Sequence, residues 1–422
     1  MTSLRPDDVR IDDLAKPVFS REAAELRAMM ASMAPTLSIT PHDLMTAARE
    51  QTGLEDFGDD WFREPLTVLC EALRSEAQLS PAGVVSIWSQ LVQLLRNRLL
   101  IEDVVRRHPE ILDVAIDAPI VIAGLPRTGT THLHNLISSD PALRSLNYWE
   151  SLEPVLSEAE RGVDPDPRIE RTAGGLDMLD VFMPYFKRMH EMTVDHVHEE
   201  IQLLAVAGST MLFETMAPMP SWRDWYTSTD QTPAYEYLRK ILQVLSWQRG
   251  VGKRWVLKSP QHLEQLPVVQ AVFPDATYVV THRDPVAVIA SLVMMMAYSL
   301  RMVRDDIDVP AVGHYWASRG QELLGGCLRD RDVLPDEQTV DVRFHEFMAD
   351  DVGTVRQIYD AAGLAFTGDV QAAMDAFIAE HPRGKFGRVE YFFDEFQLSE
   401  DELRSNFTAY VDRFGVDHEK LR

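Results

Sequence analysis

The chain has 422 residues, of which 45% are hydrophobic and 25% charged, so it can bury a large core in a globular fold. Its formal net charge of -25 argues against nucleic acid or an anionic membrane surface as the main partner. Only two cysteines, Cys70 and Cys327, are present, which excludes a disulfide framework and a cysteine metal cluster and indicates a reducing compartment.

The first 118 residues are predicted to form a helical N-terminal extension. Thr40-Pro41 and Ser80-Pro81 are typical helix starts, because a hydroxyl caps the first turn and proline suits the first helical position. Leucine, valine and isoleucine then recur at helical spacing over residues 84–105. We expect this extension to be a packing layer or to form the interface of a homodimer.

From residue 119 onward, short apolar runs alternate with helical patterns. This alternation predicts an α/β domain over residues 119–422, with a P-loop-like parallel sheet flanked by helices. The predicted strands are 120–123, 255–257, 277–281 and 339–342, and the predicted helices are 130–139, 261–272, 285–300 and 346–362. A helical insertion rich in aromatic residues interrupts the pattern at about 150–250, where it forms a pocket or fills the core.

A glycine-rich turn leads from the first predicted strand into the first predicted helix of this domain. Gly124 and Gly129 are five residues apart, as in the nucleotide-triphosphate loop G-x-x-x-x-G-K-[ST]. The backbone amides and the helix N-terminus that bind an anion are therefore kept. Thr130 stands where that loop needs the lysine that reaches the β- and γ-phosphates. The turn thus indicates a nucleotide with a single 5′-phosphate group rather than ATP or GTP.

Two cationic side chains follow later strands of the predicted sheet. Lys258 ends one apolar run and is expected in the ligand crevice, the alternative being a solvated surface lysine. Arg283 ends another, and its guanidinium fork suits a phosphate monoester or pairs with a neighbouring acid. Ser291 lies eight residues further along, on the next predicted helix, where it faces the same ligand or fills the helix interior.

A basic loop near the C-terminus is the last motif of this kind. In an otherwise acidic chain, it is either a flexible cover over an anion or a solvated loop. Its central residues are Arg383, Gly384 and Lys385.

Together these four motifs resemble those of the sulfotransferases that use 3′-phosphoadenosine 5′-phosphosulfate (PAPS), most of all a bacterial branch similar to tyrosylprotein sulfotransferases. The resemblance covers residues 119–422, about three quarters of the chain. It implies a sulfuryl transfer from PAPS to a hydroxyl, with 3′-phosphoadenosine 5′-phosphate (PAP) as the product and without a metal. The order and separation of the glycine-rich turn and the Arg283–Ser291 pair carry it.

The resemblance also implies roles for individual residues. Arg283 and Ser291 would bind the 3′-phosphate, and Lys258 would contact the transferring sulfuryl group. Phe344 takes the place near the adenine where relatives often have a tyrosine. The residues implied for the 5′-phosphosulfate are Arg127, Thr128, Gly129, Thr130 and Thr131, and those implied to fold over the 3′-phosphate end are Arg383, Gly384 and Lys385.

The general base is the open point of this assignment. Pro260 occupies the position where the cytosolic branch has its catalytic histidine, so that assignment does not transfer. Glu150 is the first candidate, because the tyrosylprotein-like branch has a glutamate close to this place, and His262 is the second. The third set is His198, Glu199 and Glu200, whose spacing does not match a metal motif.

Two other functions remain open at this stage. A P-loop kinase or NTPase requires a loop lysine and a strand ending in an Mg²⁺-binding aspartate, and Thr130 and Arg283 supply neither. A non-catalytic nucleotide-binding protein would lack a base, although several carboxylates and histidines are available. For an enzyme, Met294 to Met296 and the aromatic insertion suggest an apolar pocket for a small-molecule or lipid-like acceptor, or simply helix packing.

The location of the protein can also be anticipated. The N-terminus has no apolar signal core, and the longest apolar window, residues 286–300, is short for a membrane span. We therefore expect a cytoplasmic protein with no transmembrane segment.

Overall fold

A five-stranded parallel sheet lies at the centre of the computed structural model, which describes residues 6–382 and 386–420. The strand order is β2-β5-β1-β6-β7, and every neighbouring pair is parallel. The strands are β1 (Ile120–Ala123), β2 (Leu143–Arg144), β5 (Arg254–Ser259), β6 (Thr277–His282) and β7 (Thr339–Arg343). Two short segments, β3 (Leu146–Asn147) and β4 (Val197–His198), form a separate antiparallel ribbon.

Helices surround this sheet and make up most of the remaining chain. Those before β1 are α1 (Arg21–Met33), α2 (Pro41–Thr52), α3 (Arg63–Ser75) and α4 (Pro81–Arg107). Those between β1 and β5 are α5 (Thr130–Ser138), α6 (Tyr148–Leu152), α7 (Pro167–Phe182), α8 (Phe186–Met189), α9 (Ile201–Ala207), α10 (Leu212–Met216), α11 (Pro220–Ser228) and α12 (Thr232–Arg249). Those after β5 are α13 (Leu266–Val272), α14 (Pro285–Ser299), α15 (Val309–Asp330), α16 (Phe344–Ala349), α17 (Asp351–Ala361), α18 (Gly368–Glu380), α19 (Phe393–Phe396), α20 (Glu400–Asn406) and α21 (Thr408–Phe414).

The predicted α/β class, parallel sheet and helical N-terminal region are confirmed. The hydroxyls of Thr40 and Ser80 accept hydrogen bonds from backbone amides in the first turns of α2 and α4, as expected for helix caps. All four predicted strands are present, and β5 runs on through Lys258, which therefore lies inside the strand. The edge strand β2 was not predicted, because two residues carry no readable pattern.

Two predicted helices are broken into shorter pieces. The segment 261–272 begins as a 3₁₀ turn, Pro260–Glu264, and continues as α13 after Gln265. The segment 346–362 is divided between α16 and α17 at Asp350, whose carboxylate accepts a hydrogen bond from the Gly353 amide and caps α17. Both breaks occur at a local capping or proline signal that an apolar periodicity does not register.

The N-terminal helices share one hydrophobic core with the helices that follow the sheet strands. Leu91 and Leu99 of α4 belong to the same buried cluster as Leu204 of α9 and Leu242 of α12. Leu133 of α5 belongs to a second cluster on the opposite face of the sheet. The extension is therefore packed against the insertion rather than tethered beside it.

One helical stretch, Pro285–Met302, is long and apolar enough to cross a membrane by length and composition. It is longer than the sequence analysis expects, because a 3₁₀ turn, Leu300–Met302, continues α14. Within the protein 83% of this 18-residue window is buried, as expected for a core helix.

A close backbone contact fixes the start of α4 and gives a first testable prediction. A Cβ atom added to Gly83 would lie 2.2 Å from the carbonyl oxygen of Val303, a backbone atom that cannot rotate away. We expect Gly83→Ala to lower the free energy of unfolding by about 1–3 kcal/mol, measured by chemical denaturation.

The matched control is Gly325→Ala, also within a helix, where nothing lies within 4 Å of the added Cβ. Helix propensity should there raise stability by about 0.5–1 kcal/mol. Equal effects at both positions would contradict tight packing of α4 on Val303.

Candidate active site

The glycine-rich turn between β1 and α5 is held open by two glycines with different physical roles. A Cβ on Gly124 would lie 1.8 Å from Oγ1 of Thr281, so only glycine allows β1 and β6 to approach at this point. Gly129 has a φ of 86°, in the left-handed region, and precedes the first residue of α5. The two glycines thus let the chain pass from the end of β1 into the first turn of α5.

Thr128 and Thr130 close the interior of this turn. The Thr128 hydroxyl donates to the Leu125 carbonyl at 2.7 Å and lies 2.7 Å from Oγ1 of Thr281. The Thr130 side chain is buried, with its methyl group near the position that a Gly124 Cβ would take. Thr130 therefore packs inward and places no cation at the point where triphosphate loops carry lysine.

Arg127 connects the turn to helix α14. Its Nε donates to Oγ of Ser291 at 3.1 Å, and its Nη1 donates to the Met189 carbonyl. Burial, followed by the nearby charge of Arg283, lowers the pKa of the Arg127 guanidinium. Two groups that the sequence separates by more than 160 residues therefore meet at one point, beside a second cation.

Arg283 follows β6 and lies against the same turn. Its Nη1 donates to the Arg127 carbonyl, and its Nε and Nη2 donate to the two oxygens of the Glu419 carboxylate at 2.6 and 2.7 Å. The guanidinium carbon lies 3.9 Å from the centroid of the Phe344 ring. That ring would also contact a Cβ on Gly129, so Phe344 lies between the turn and Arg283.

Lys258, in β5, is 3% exposed and approaches the turn from the other side. Its Nζ lies 3.5 Å from Oγ1 of Thr131 and forms an ion pair with the carboxylate of Glu199. Glu199 directly follows β4, and the pairing of β4 with β3 fixes the backbone next to it. A cation and a carboxylate thus lie together beside the first turn of α5.

Glu150 lies between two arginines. Its Oε1 accepts from Arg144 Nη2 at 2.7 Å and lies 2.9 Å from Arg249 Nε, while its Oε2 is buried without a hydrogen-bond partner among the described residues. Arg144 pairs with Trp255 near the beginning of β5, three residues before Lys258. The structure therefore places Glu150 near the opposite end of β5 from the ion pair of Lys258 and Glu199.

His262 and Glu200 form a buried network behind Lys258. Nδ1 of His262 lies 2.8 Å from the Tyr235 hydroxyl, and Nε2 hydrogen-bonds to Glu200. Glu200 also accepts from the backbone amide of Lys258 at 2.7 Å. Both nitrogens of His262 are thus engaged, and the network holds the β5 backbone that carries Lys258.

A cluster of histidines surrounds the charge of Lys258. The rings of His190, His196 and His198 follow one another with centroids 5.8 Å apart, and His198 packs 4.7 Å from Tyr148. Burial, with contributions from Lys258 and neighbouring histidines, lowers the pKa of His190 to about 4 and of His196 to about 3, and that of His198 well below its usual value. These imidazoles are therefore neutral at physiological pH.

The two remaining expectations concern the basic loop near the C-terminus and a metal site. Arg383, Gly384 and Lys385 lie outside the described residues. Within residues 6–382 and 386–420, no group of three or more His, Cys, Asp and Glu side chains has a geometry that could hold a metal ion.

Sequence reasoning missed two contacts at the site, and both join residues far apart in the chain. Glu419 pairs with Arg283 across 136 residues, and the Met189 carbonyl accepts from Arg127 across 62. Neither partner carries a local motif. Glu199, by contrast, was among the candidate bases, and the signal for it was its position beside the histidine-rich stretch.

The histidine cluster predicts how stability depends on pH. The unfolded chain binds protons at these histidines near pH 6.5, whereas the folded protein does so only near pH 4 and below. The contribution of the neutral histidines to folding stability is therefore complete above pH 6.5 and is lost as pH falls towards 4. His196→Gln should reduce the slope of unfolding free energy between pH 5 and 6 by about one proton, about 1.4 kcal/mol per pH unit. Exposed His314, substituted by Gln, is the control; equal slopes for the two variants would contradict burial of a neutral His196.

Comparisons with known proteins agree with this fold. The omega-hydroxy-beta-dihydromenaquinone-9 sulfotransferase Stf3 of Mycobacterium bovis is 22% identical over 324 residues, which cover 72% of this chain and 76% of that protein. The crystal structure of sulfotransferase STF9 from Mycobacterium avium has a TM-score of 0.80 and 27% identity, covering 90% of this chain and 98% of that one. Sulfotransferase STF1 from Mycobacterium tuberculosis has a TM-score of 0.76 and 30% identity, covering 87% and 98%.

The family model described as the sulfotransferase family matches residues 119–368, more than half of the chain. That range contains the glycine-rich turn, Lys258, Arg283 and Ser291, the groups that the fold brings to one edge of the sheet. The chain belongs to the sulfotransferase family.

Proposed function

We propose that this enzyme transfers a sulfuryl group from PAPS to the hydroxyl of a small-molecule or lipid-like acceptor. The observation that supports it is the convergence of Arg127, Lys258 and Arg283 around the N-terminus of α5 in a chain of net charge -25. Such a local reversal of charge suits a donor with anionic groups at two ends. The relative Stf3 is an omega-hydroxy-beta-dihydromenaquinone-9 sulfotransferase, which supports a lipid-like acceptor.

The described residues fit such a donor. The amides of the turn from Thr128 to Thr131, with the N-terminus of α5, would hold the 5′-phosphosulfate. Arg283 and Ser291 would hold the 3′-phosphate, since both contact Arg127 and therefore lie close to the turn. Phe344 would lie against the nucleoside end, because its ring packs on Arg283.

For the remaining donor-site residues, the resemblance to PAPS-dependent sulfotransferases is the only support. Arg383, Gly384 and Lys385 would cover the 3′-phosphate. We also propose a cytoplasmic location, which the two free buried thiols, Cys70 and Cys327, support.

The transfer itself requires alignment and charge neutralisation more than covalent help from the protein. The acceptor oxygen forms a bond to sulfur while the bond from sulfur to the 5′-phosphate oxygen breaks, and PAP leaves with that electron pair. Through a loose transition state, charge accumulates on the leaving and equatorial oxygens. Lys258 and Arg127 would neutralise this charge from the two sides of the turn.

Glu199 is the base that the geometry favours among the candidates. Its side chain is 20% exposed and contacts Lys258, whereas His262 and Glu200 engage each other in a buried network and Glu150 is held by two arginines. When an anionic donor attracts Lys258, Glu199 would lose its partner and become free to accept the proton of the acceptor hydroxyl. Loading of the donor would thereby prepare the base.

The donor site predicts opposite effects for the two partners of one ion pair. Arg283→Ala should weaken PAP binding at least tenfold, because a bidentate contact to the 3′-phosphate is lost. Glu419→Gln should strengthen PAP binding by about fivefold, because its carboxylate competes for the same guanidinium. Calorimetric titration with PAP measures both.

Weaker PAP binding by Glu419→Gln would contradict the competition and indicate that Glu419 orients Arg283 for the donor. Unchanged PAP binding by a folded Arg283→Ala variant would reject the 3′-phosphate site.

The assignment of the base predicts a separation between binding and turnover. Glu199→Gln should bind PAP as the native protein does, yet transfer sulfate from radiolabelled PAPS at least about 100-fold more slowly, because the proton acceptor is removed. Glu150→Gln is the matched control, and its transfer rate should stay within tenfold provided that its thermal unfolding is unchanged. The reverse pattern, with activity lost in Glu150→Gln alone, would move the base to Glu150.

A further inference from the structure

A cavity of about 330 Å³ lies between the N-terminal helices and the helices around residues 148–216. Tyr148 and Gln202 form part of its wall. The Tyr148 ring packs 4.7 Å from His198, which directly precedes Glu199, and Gln202 follows Glu199 by three residues at the start of α9. One end of the cavity is thus next to the residues that meet Lys258.

The lining of this cavity is uncharged throughout, although a quarter of the chain is charged. Aliphatic and thioether side chains make up about half of its wall, and the other members carry amides and hydroxyls. The side chains that shape it include Ile87, Leu94, Leu179, Met183, Met216 and Met302. Methionine side chains adapt to ligands of irregular shape, and a volume near 300 Å³ is at the lower end for ligand pockets.

A second cavity of about 530 Å³ adjoins the first and differs in charge. The two share Gln93, Tyr148, Leu152 and Leu179 as lining residues. Arg171 and Glu160 line the second cavity. An apolar ligand is therefore better suited to the first cavity, and the charged second cavity to a polar or solvated end.

Three parts of the chain supply the walls of the uncharged cavity. Leu94 comes from α4 of the N-terminal extension, Leu179 and Met216 from the helical insertion, and Met302 from the turn after α14. The contact of Gly83 with Val303, another lining residue, fixes α4 against that turn. The N-terminal extension is therefore a wall of this cavity as well as a packing layer.

We propose that this cavity binds the apolar chain of the acceptor, an alcohol whose hydroxyl lies at the Tyr148 end and faces Glu199 and Lys258. This inference rests on the proposed function, because it locates the acceptor of the same reaction. The acceptor class is a hydroxyl attached to a flexible hydrocarbon chain. Its terminal oxygen forms the new bond to sulfur, its proton passes to Glu199, and PAP leaves.

A series of straight-chain primary alcohols from butanol to decanol tests the proposal. With PAPS in excess, kcat/KM should rise about fourfold for each methylene until the chain fills the cavity. Leu94→Trp should move that limit to shorter alcohols and lower kcat/KM for decanol at least tenfold more than kcat/KM for butanol, while PAP binding stays unchanged.

Ser89→Trp is the matched control, because Ser89 is exposed on the same helix and does not line the cavity. An absence of chain-length dependence, or equal behaviour of the two tryptophan variants, would overturn the proposal.

A binding measurement separates this proposal from the proposed function. Calorimetric titration of the PAP complex with decanol should show binding to the native protein and to Ser89→Trp but not to Leu94→Trp. If that pattern appears and no alcohol is sulfated, the proposed transfer reaction is rejected and the proposed binding site in the cavity is supported. If alcohols are sulfated but decanol binds equally to all three proteins, the transfer stands and the cavity is rejected.

Discussion

Three cationic side chains, Arg127, Lys258 and Arg283, lie close together at the carboxyl edge of the sheet, and hydrogen bonds and ion pairs with neighbouring groups hold them in place. Lys258 pairs with Glu199 and Arg283 with Glu419, whereas the hydrogen bonds of Arg127 go to the neutral Ser291 hydroxyl and the Met189 carbonyl. Burial, followed by repulsion from Arg283, lowers the pKa of the Arg127 guanidinium. An anion bound at the turn relieves that cost, which is a physical reason for a phosphosulfate site here.

The buried network behind Lys258 explains how a lysine can be held inside a strand. Glu200 accepts from the Lys258 amide and binds His262, which in turn meets the Tyr235 hydroxyl. The polar groups of the network thereby satisfy one another in a buried site. Neutral histidines on the other side add no positive charge that would compete with the lysine.

The position of the glycine-rich turn, Arg283 and Ser291 at one edge of the sheet could be predicted from the sequence, because these parts are local. A strand, a glycine-rich turn and a helix start are consecutive, and Arg283 and Ser291 lie eight residues apart, so short-range patterns place Thr130 and Arg283 at the same sheet edge. The α/β class followed from the same alternation of strands and helices. Strand β2 and the break between α16 and α17 at Asp350 were not predicted, because the pairing and the capping there depend on only one or two residues.

The acceptor side could not be predicted in the same way, because long-range contacts build it. Glu199 approaches Lys258 only after β3 and β4 pair across 50 residues, and Leu94 meets the insertion only through the shared core. The resemblance to tyrosylprotein sulfotransferases pointed to Glu150, whose arginine partners become visible only in three dimensions. Conversely, the run from Met294 to Met296, which suggested a pocket, is buried within α14, and the methionines that line the cavity are others.

The central claim is that the turn at Gly124 to Thr131 binds a nucleotide with one 5′ anionic group and a 3′-phosphate. Calorimetric titration of the native protein with PAP, and in parallel with ATP plus Mg²⁺, tests it most directly. The account predicts micromolar binding of PAP, about -8 kcal/mol, and no binding of ATP. Binding of ATP with Mg²⁺ and none of PAP would contradict it and indicate a phosphoryl-transfer enzyme instead.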